Sequence, residues 1–171
     1  MTNIYYFTAL TVQKSLRSTI KILQEAQKWS LTSGKTEAEL LEARLAPDMF
    51  PLKKQIQMIS DNAKGMTSRF TESENPSYED TETTFDDLIA RLQKTLDYVG
   101  SFVEADFANS DSVKIILPYF KDKYQDAGDY LLDYAIPNFF FHKVTVYDIL
   151  RNQGMPIGKN NYLGSLNLKD L

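Results

Sequence analysis

The chain has one histidine, His142, and an imidazole can serve as a general base, a hydrogen-bonding group or a metal ligand near neutral pH. It falls in a series, Leu131, Ala135, Phe139, His142, Val146 and Ile149, whose steps are three or four residues. On a helix that spacing gathers the side chains on one face, so His142 is predicted to point inward. Asn138 precedes it by four residues and lies one turn away on the same side. On an earlier helical segment Gln55, four residues before Ile59, flanks an apolar seam, whereas Gln57 and Asp61 are predicted on the opposite face. Burying polar groups costs free energy unless they are bonded, so Gln55, Asn138 and His142 should find each other, a water or a ligand. Two readings are open. The three form either a satisfied polar cluster in a helical core, or a small site with His142 as general base and Asn138 and Gln55 as orienting hydrogen-bonders. One imidazole with two amides is a poor ligand set for zinc, nickel or iron, so neither a metal nor a cofactor is expected.

Other chemistries are excluded more directly. The chain has no cysteine, which removes disulfides, thiolate zinc sites and a cysteine nucleophile. Glu72, Glu74, Glu79, Asp80, Glu82, Asp86 and Asp87 crowd one stretch without a base, but their spacing is not that of a calcium loop. That stretch reads as a solvated loop leading into a helix N-terminus, where the dipole favours acids. A net charge of −4 and an isoelectric point near 5.0 give no basic face for nucleic acid or for an anionic membrane. No apolar run approaches the ~18 residues that would span a bilayer. The start, Met1-Thr2-Asn3-Ile4-Tyr5-Tyr6, lacks the basic region of a secretory signal, so a cytoplasmic setting is expected. The partners left open are a small-molecule ligand and a second copy of the chain.

The elements that must position these residues are helices almost throughout. With 171 residues the chain has the length of one domain, 1–171, and its last part, 155–171, reads as a tail. Ala9, Val12, Leu16, Ile20, Leu23 and Ala26 mark an apolar face on a first helix near 4–30. Gly34 should stop it, and Thr36 with Glu39 forms a capping-box pattern for a short helix to about Arg44. Leu52, Ile56, Ile59, Ala63, Met66 and Phe70 alternate steps of four and three, a packing seam on a helix near 52–70. Thr84 and Asp87 can cap the next, near 85–104. A β-branched run at Val113, Ile115 and Ile116 predicts a short β-hairpin or an extended loop within 112–127. The last long helix, near 129–152, carries Pro137, which should kink it, and ends at Gly154. The fold class is all-α, a four-helix bundle with a long crossover.

Four strings in this order are distinctive: Arg44-Leu45-Ala46-Pro47-Asp48-Met49-Phe50-Pro51-Leu52, Glu79-Asp80-Thr81-Glu82-Thr83-Thr84-Phe85, Ile136-Pro137-Asn138-Phe139-Phe140-Phe141-His142 and Tyr162-Leu163-Gly164. Together they resemble a domain-of-unknown-function branch of the DinB/YfiT-like superfamily, over nearly the whole chain. The resemblance implies a four-helix bundle and, for many members, metal-dependent chemistry such as thiol S-transfer. In those members three histidines hold a divalent metal, one on the second helix and two, four residues apart, on the last. By position His142 matches the second of that pair, Asn138 stands in place of the first, and Gln55 takes the second-helix position. Amides in two of the three places imply a metal-independent binding or scaffold protein, or else a transferase or hydrolase that relies on His142.

Overall fold

A computed structural model of the chain describes residues 3–170; Met1, Thr2 and Leu171, included in the 1–171 span, lie outside the described residues. Helix α1 (Thr11–Ser33) is entered through a π-turn at Tyr6–Leu10 and stops at Gly34, whose φ of 77° is left-handed. Glycine adopts that conformation without a Cβ clash, which ends the helix where the sequence predicts. The short α2 (Glu37–Glu42) has the expected capping box: Glu39 N–H donates to Thr36 Oγ1 at 3.2 Å, and Thr36 N–H donates back to Glu39 Oε2 at 2.7 Å. The same reciprocal pair, Thr84 with Asp87, opens α4 (Phe85–Gly100), and α3 (Leu52–Thr71) precedes it.

The helix directions follow from their cross-links. Gln55 pairs with His142, Asn62 with Asn138 and Arg69 with Tyr130, so α3 runs antiparallel to the last long helix, α6 (Ile136–Asn152). Segment 72–84 runs back along α3, with Lys64 bonded to the Pro76 carbonyl and Lys54 to Asp80. It therefore delivers α4 to the N-terminal end of α3, and α4 lies parallel to it. The predicted long crossover is this segment. Lys35 Nζ meets Gln153 Oε1 at 3.0 Å, bringing the C-terminal ends of α1 and α6 together. The order is up, down, down, up.

The seams read from the sequence are buried: Val12, Leu16 and Leu23 on α1, Ile56, Ile59 and Ala63 on α3, Leu88 and Leu92 on α4, Phe139, Val146 and Ile149 on α6. Each such leucine, isoleucine or phenylalanine contributes about 1.5–3 kcal/mol by leaving water. The expected β-structure is a minimal antiparallel pair, β1 (Lys114–Ile115) with β2 (Gln125–Asp126). Two boundaries differ from expectation. Helix α4 ends at Gly100, and residues Glu104–Phe107 form a separate 3-10 turn instead of extending it. The stretch after Gly154 is not simply a tail, because Met155 and Ile157 are buried and α7 (Lys159–Leu163) packs against α1.

The last long helix is irregular ahead of Pro137 rather than at it. A three-residue turn, α5 (Ala127–Asp129), passes into a second π-turn at Tyr130–Ala135, and regular α6 begins at Ile136. Pro137 thus follows a wide turn within a continuous helical run, and the hydrogen bond its missing N–H cannot make falls where that turn already displaces the ladder. No helix among the described residues is long and apolar enough to cross a membrane.

Candidate functional site

The α3–α6 seam carries two polar cross-links. Gln55 and His142 are both buried, and Gln55 Oε1 lies 2.7 Å from His142 Nδ1. The Gln55 amide is oriented by its other end, since Nε2 donates to the Phe50 carbonyl at 3.2 Å. Its oxygen therefore faces the ring, Nδ1 carries the proton, and Nε2 holds the lone pair. Among the described residues Nε2 has no hydrogen-bond partner, and it is not one of the fully enclosed unpaired atoms. Burial pushes the His142 pKa below its usual value, because a charged ring would lose hydration there. Neutral imidazole is the resting form near pH 7.

Asn138 does not join this pair. It is half-buried one turn earlier, and its Nδ2 donates to Asn62 Oδ1 at 2.6 Å, while Asn62 Nδ2 donates to the Met58 carbonyl at 2.7 Å. Asn62 follows Gln55 by seven residues, two helical turns, so both rungs lie on one stripe of α3. That spacing was the available signal for Asn62, and it identifies the partner that the sequence reading lacked.

Gln57 and Asp61 lie on the opposite face of α3, as predicted, and that face is covered by the crossover and α4. Gln57 is buried beneath the crossover and its Nε2 donates to Glu82 Oε2 at 2.8 Å. Asp61 Oδ1 accepts from Arg91 Nη2 at 2.9 Å and lies 3.1 Å from Lys64 Nζ. Arg91 is buried on α4 and also binds Glu82 at 2.8 Å and Asp80 at 3.0 Å. Three carboxylates thus converge on one guanidinium, and the acidic crossover is pinned to the bundle, although most of its other residues are exposed. Another buried cation, Lys143 on α6, donates to the Tyr162 carbonyl at 3.0 Å, with the Tyr162 ring 4.1 Å away. Burial, aided by repulsion from Lys14, pushes its pKa down to about 8.

Between α3, the crossover and the second π-turn opens a cavity of about 380 Å³. Asn62 lines it, with Arg69, Tyr78, Tyr119 and Tyr134 among its other walls; Gln55 and His142 do not. A polar seam residue and an open volume meet at Asn62, and the enclosed Gln55–His142 rung stands two turns away.

The up-down-down-up bundle with a long crossover and a polar α3–α6 seam defines a DinB-like protein. The crystal structure of a DinB family member protein from Shewanella denitrificans matches it with a TM-score of 0.94 and 35% sequence identity, over 98% of this chain and 95% of that one. Residues 4–163 match the family model described as Domain of unknown function (DUF1993), and the chain belongs to that family. No protein with a curated description matches it. The three-histidine metal set implied by the wider resemblance falls here on Gln55, Asn138 and His142. Gln55 Oε1 is engaged by His142, and Asn138 is turned to Asn62. Among the described residues no three of histidine, aspartate or glutamate gather at metal-holding positions. The side chains present do not fit a tightly held transition metal.

Proposed function

We propose that the chain is a small-molecule-binding bundle that works without a resident transition metal, with the cavity beside Asn62 as its chamber. The observation that carries this reading is the meeting of the Asn62–Asn138 rung with about 380 Å³ of open, polar-walled space. Volumes of this order suit small ligands, and a few fixed polar groups supply orientation. A π-turn forms part of the wall at Tyr134, and such turns are frequent at functional sites. The test is a thermal-shift screen of a small-molecule library on the full chain and on Ser77→Trp, which adds bulk at an exposed residue of the cavity lining. A ligand present at 100 times its Kd stabilises by about 2.7 kcal/mol, enough to raise Tm by several degrees. Hits should lose their shift in Ser77→Trp. A library without hits, or hits indifferent to that substitution, would remove the reading.

One observation favours a second reading. His142 is neutral with a fixed Nδ1–H and an unpartnered Nε2, the state required of a general base in a transferase or hydrolase. Hits from the same screen can be followed for turnover. Consumption by the wild type but not by His142→Ala supports catalysis, and binding without turnover in both leaves the first reading in place.

A further inference from the structure

The cavity beside Asn62 contains a charge that its surroundings leave uncompensated. Lys64, one of its two cations, is committed three ways: Nζ donates to the Pro76 carbonyl at 2.7 Å, lies 3.1 Å from Asp61 and sits 4.1 Å over the Tyr78 ring. Asp61 is itself held by Arg91. Arg69 differs. It is half-buried, and among the described residues no carboxylate comes within ion-pair distance of it. Its one hydrogen bond there runs from Nη1 to the Tyr130 hydroxyl at 3.3 Å, out of the five N–H groups that a guanidinium offers.

Gly65 leaves room for the placement of Arg69. A Cβ at Gly65, one turn earlier, would stand 2.5 Å from Arg69 Nη1 and 3.5 Å from Cζ. Glycine inside a helix weakens it relative to alanine, and here it opens the bed in which the guanidinium lies folded back beside the cavity. A cation in the last turn of α3 is favoured by the helix dipole in any sequence. The dipole accounts for the charge, but not for the missing counter-ion. On the facing wall Tyr134 Oη donates to Tyr119 Oη at 3.0 Å, which leaves the Tyr119 proton free to donate to a ligand.

We propose that this cavity binds a small organic monocarboxylate, whose two oxygens take the planar Arg69 fork while its body lies against Tyr119 and Tyr134. The inference rests on the cavity being the binding chamber and adds the class of its ligand. One uncompensated guanidinium balances one negative charge, and a planar fork matches a carboxylate with two parallel bonds. A phosphate dianion would need a second free cation, and Lys64 is already engaged. The chain as a whole carries −4, so a positive chamber is local design rather than a general surface property.

The experiment titrates the full chain calorimetrically with benzoate, phenylacetate and hexanoate, each beside its neutral amide. At least one acid should saturate with a Kd about tenfold or more below that of its amide. Arg69→Gln should erase the difference by weakening the acid about tenfold and leaving the amide unchanged. Arg69→Lys keeps the charge without the fork and should recover only part of the affinity, a readout that stands even where the glutamine variant does not fold. Acids that bind no better than amides, or that bind Arg69→Gln undiminished, overturn the carboxylate assignment. So does the absence of saturation by any acid up to about 10 mM. Ser77→Trp separates the two levels. Equal binding of acid and amide that is lost in Ser77→Trp leaves the chamber and removes its anion preference, whereas binding unchanged in Ser77→Trp removes both.

Discussion

The two polar faces of α3 are held by different chemistry. Toward α6 the contacts are neutral and one-to-one: an amide with an imidazole, and an amide with an amide, each a single hydrogen bond between helices. Toward the crossover and α4 the contacts are ionic and many-to-one, with Asp61, Asp80 and Glu82 sharing Arg91, and Lys54 bonded to Asp80. A neutral rung can lose a partner and leave a modest debt of one unsatisfied group. A shared guanidinium cannot, because its removal strips Glu82 of its cation and leaves Asp61 and Asp80 with only Lys64 and Lys54 beside them. The ionic face therefore holds a long loop in place, while the neutral face can be retuned for a ligand.

The largest effect should come from the ionic side. Arg91→Ala should cost up to about 3–5 kcal/mol in urea unfolding, the usual loss for a buried ion pair, reduced by solvent screening of the part-exposed Asp61 and Asp80. It should also speed proteolytic cleavage within 72–84. Unchanged stability would mean that the crossover is held by its other contacts, and the contrast between the faces would collapse.

On the neutral side the larger cost belongs to the enclosed rung. His142→Leu, measured at pH 8, should lose more than about 1 kcal/mol and within about 1–3 kcal/mol, since leucine cannot bond Gln55. A gain in stability would instead indicate a ring held for function at the expense of packing. The same pair sharpens on acidification. The folded His142 pKa lies below the unfolded value of 6.5, so between those two pKa values the unfolded chain binds more protons. Wild-type stability should fall as pH drops through that window, and less so in His142→Leu. Carboxylates such as Asp80 and Asp87, whose pKa values are lowered, act at more acidic pH and do not confuse the comparison. The smallest effect is expected at the half-buried rung, where Asn138→Ala should cost about 0.5–1.5 kcal/mol. A cost at Asn138 exceeding that at His142 would reverse the ranking of the two rungs.

What could be read from the sequence was local. The heptad steps from Leu52 to Phe70 and the Thr36–Glu39 and Thr84–Asp87 boxes are set by neighbours a few residues apart, and all appear where their spacing places them. The inward Gln55 and His142 were legible because Gln55 flanks one apolar seam and His142 falls within another. Their pairing with each other, and Asn138's with Asn62, depends on the register between two helices 76 or more residues apart in sequence, which periodicity does not encode. The Arg91 clamp was hidden for the same reason. A composition count sees acids without a base in the crossover, and the base arrives from α4. Arg91 follows Leu88 by three residues and precedes Thr95 by four, so its place on the inner face was visible, but its meaning was not. The packing of α7 was concealed likewise, since Lys143 meets a carbonyl 19 residues onward.

The second π-turn sets a rotational phase. Buried positions along the last helix advance from Leu131 to Ala135 to Phe139 in steps of four before settling into alternating threes and fours. A regular α-helix turns about 100° per residue, so repeated steps of four drift away from the core, whereas a wider turn absorbs the drift. Tyr130 and Tyr134 on one side of Pro137, and Asn138 and His142 on the other, are thereby geared together like two cams on one shaft. Deleting a single residue within Tyr130–Ala135 would leave seven residues from Leu131 to Phe139, about 700°, which a regular helix closes to within about 20° of one face. The width of that one turn therefore carries one extra residue while the chamber and its neighbouring helix contacts stay in step.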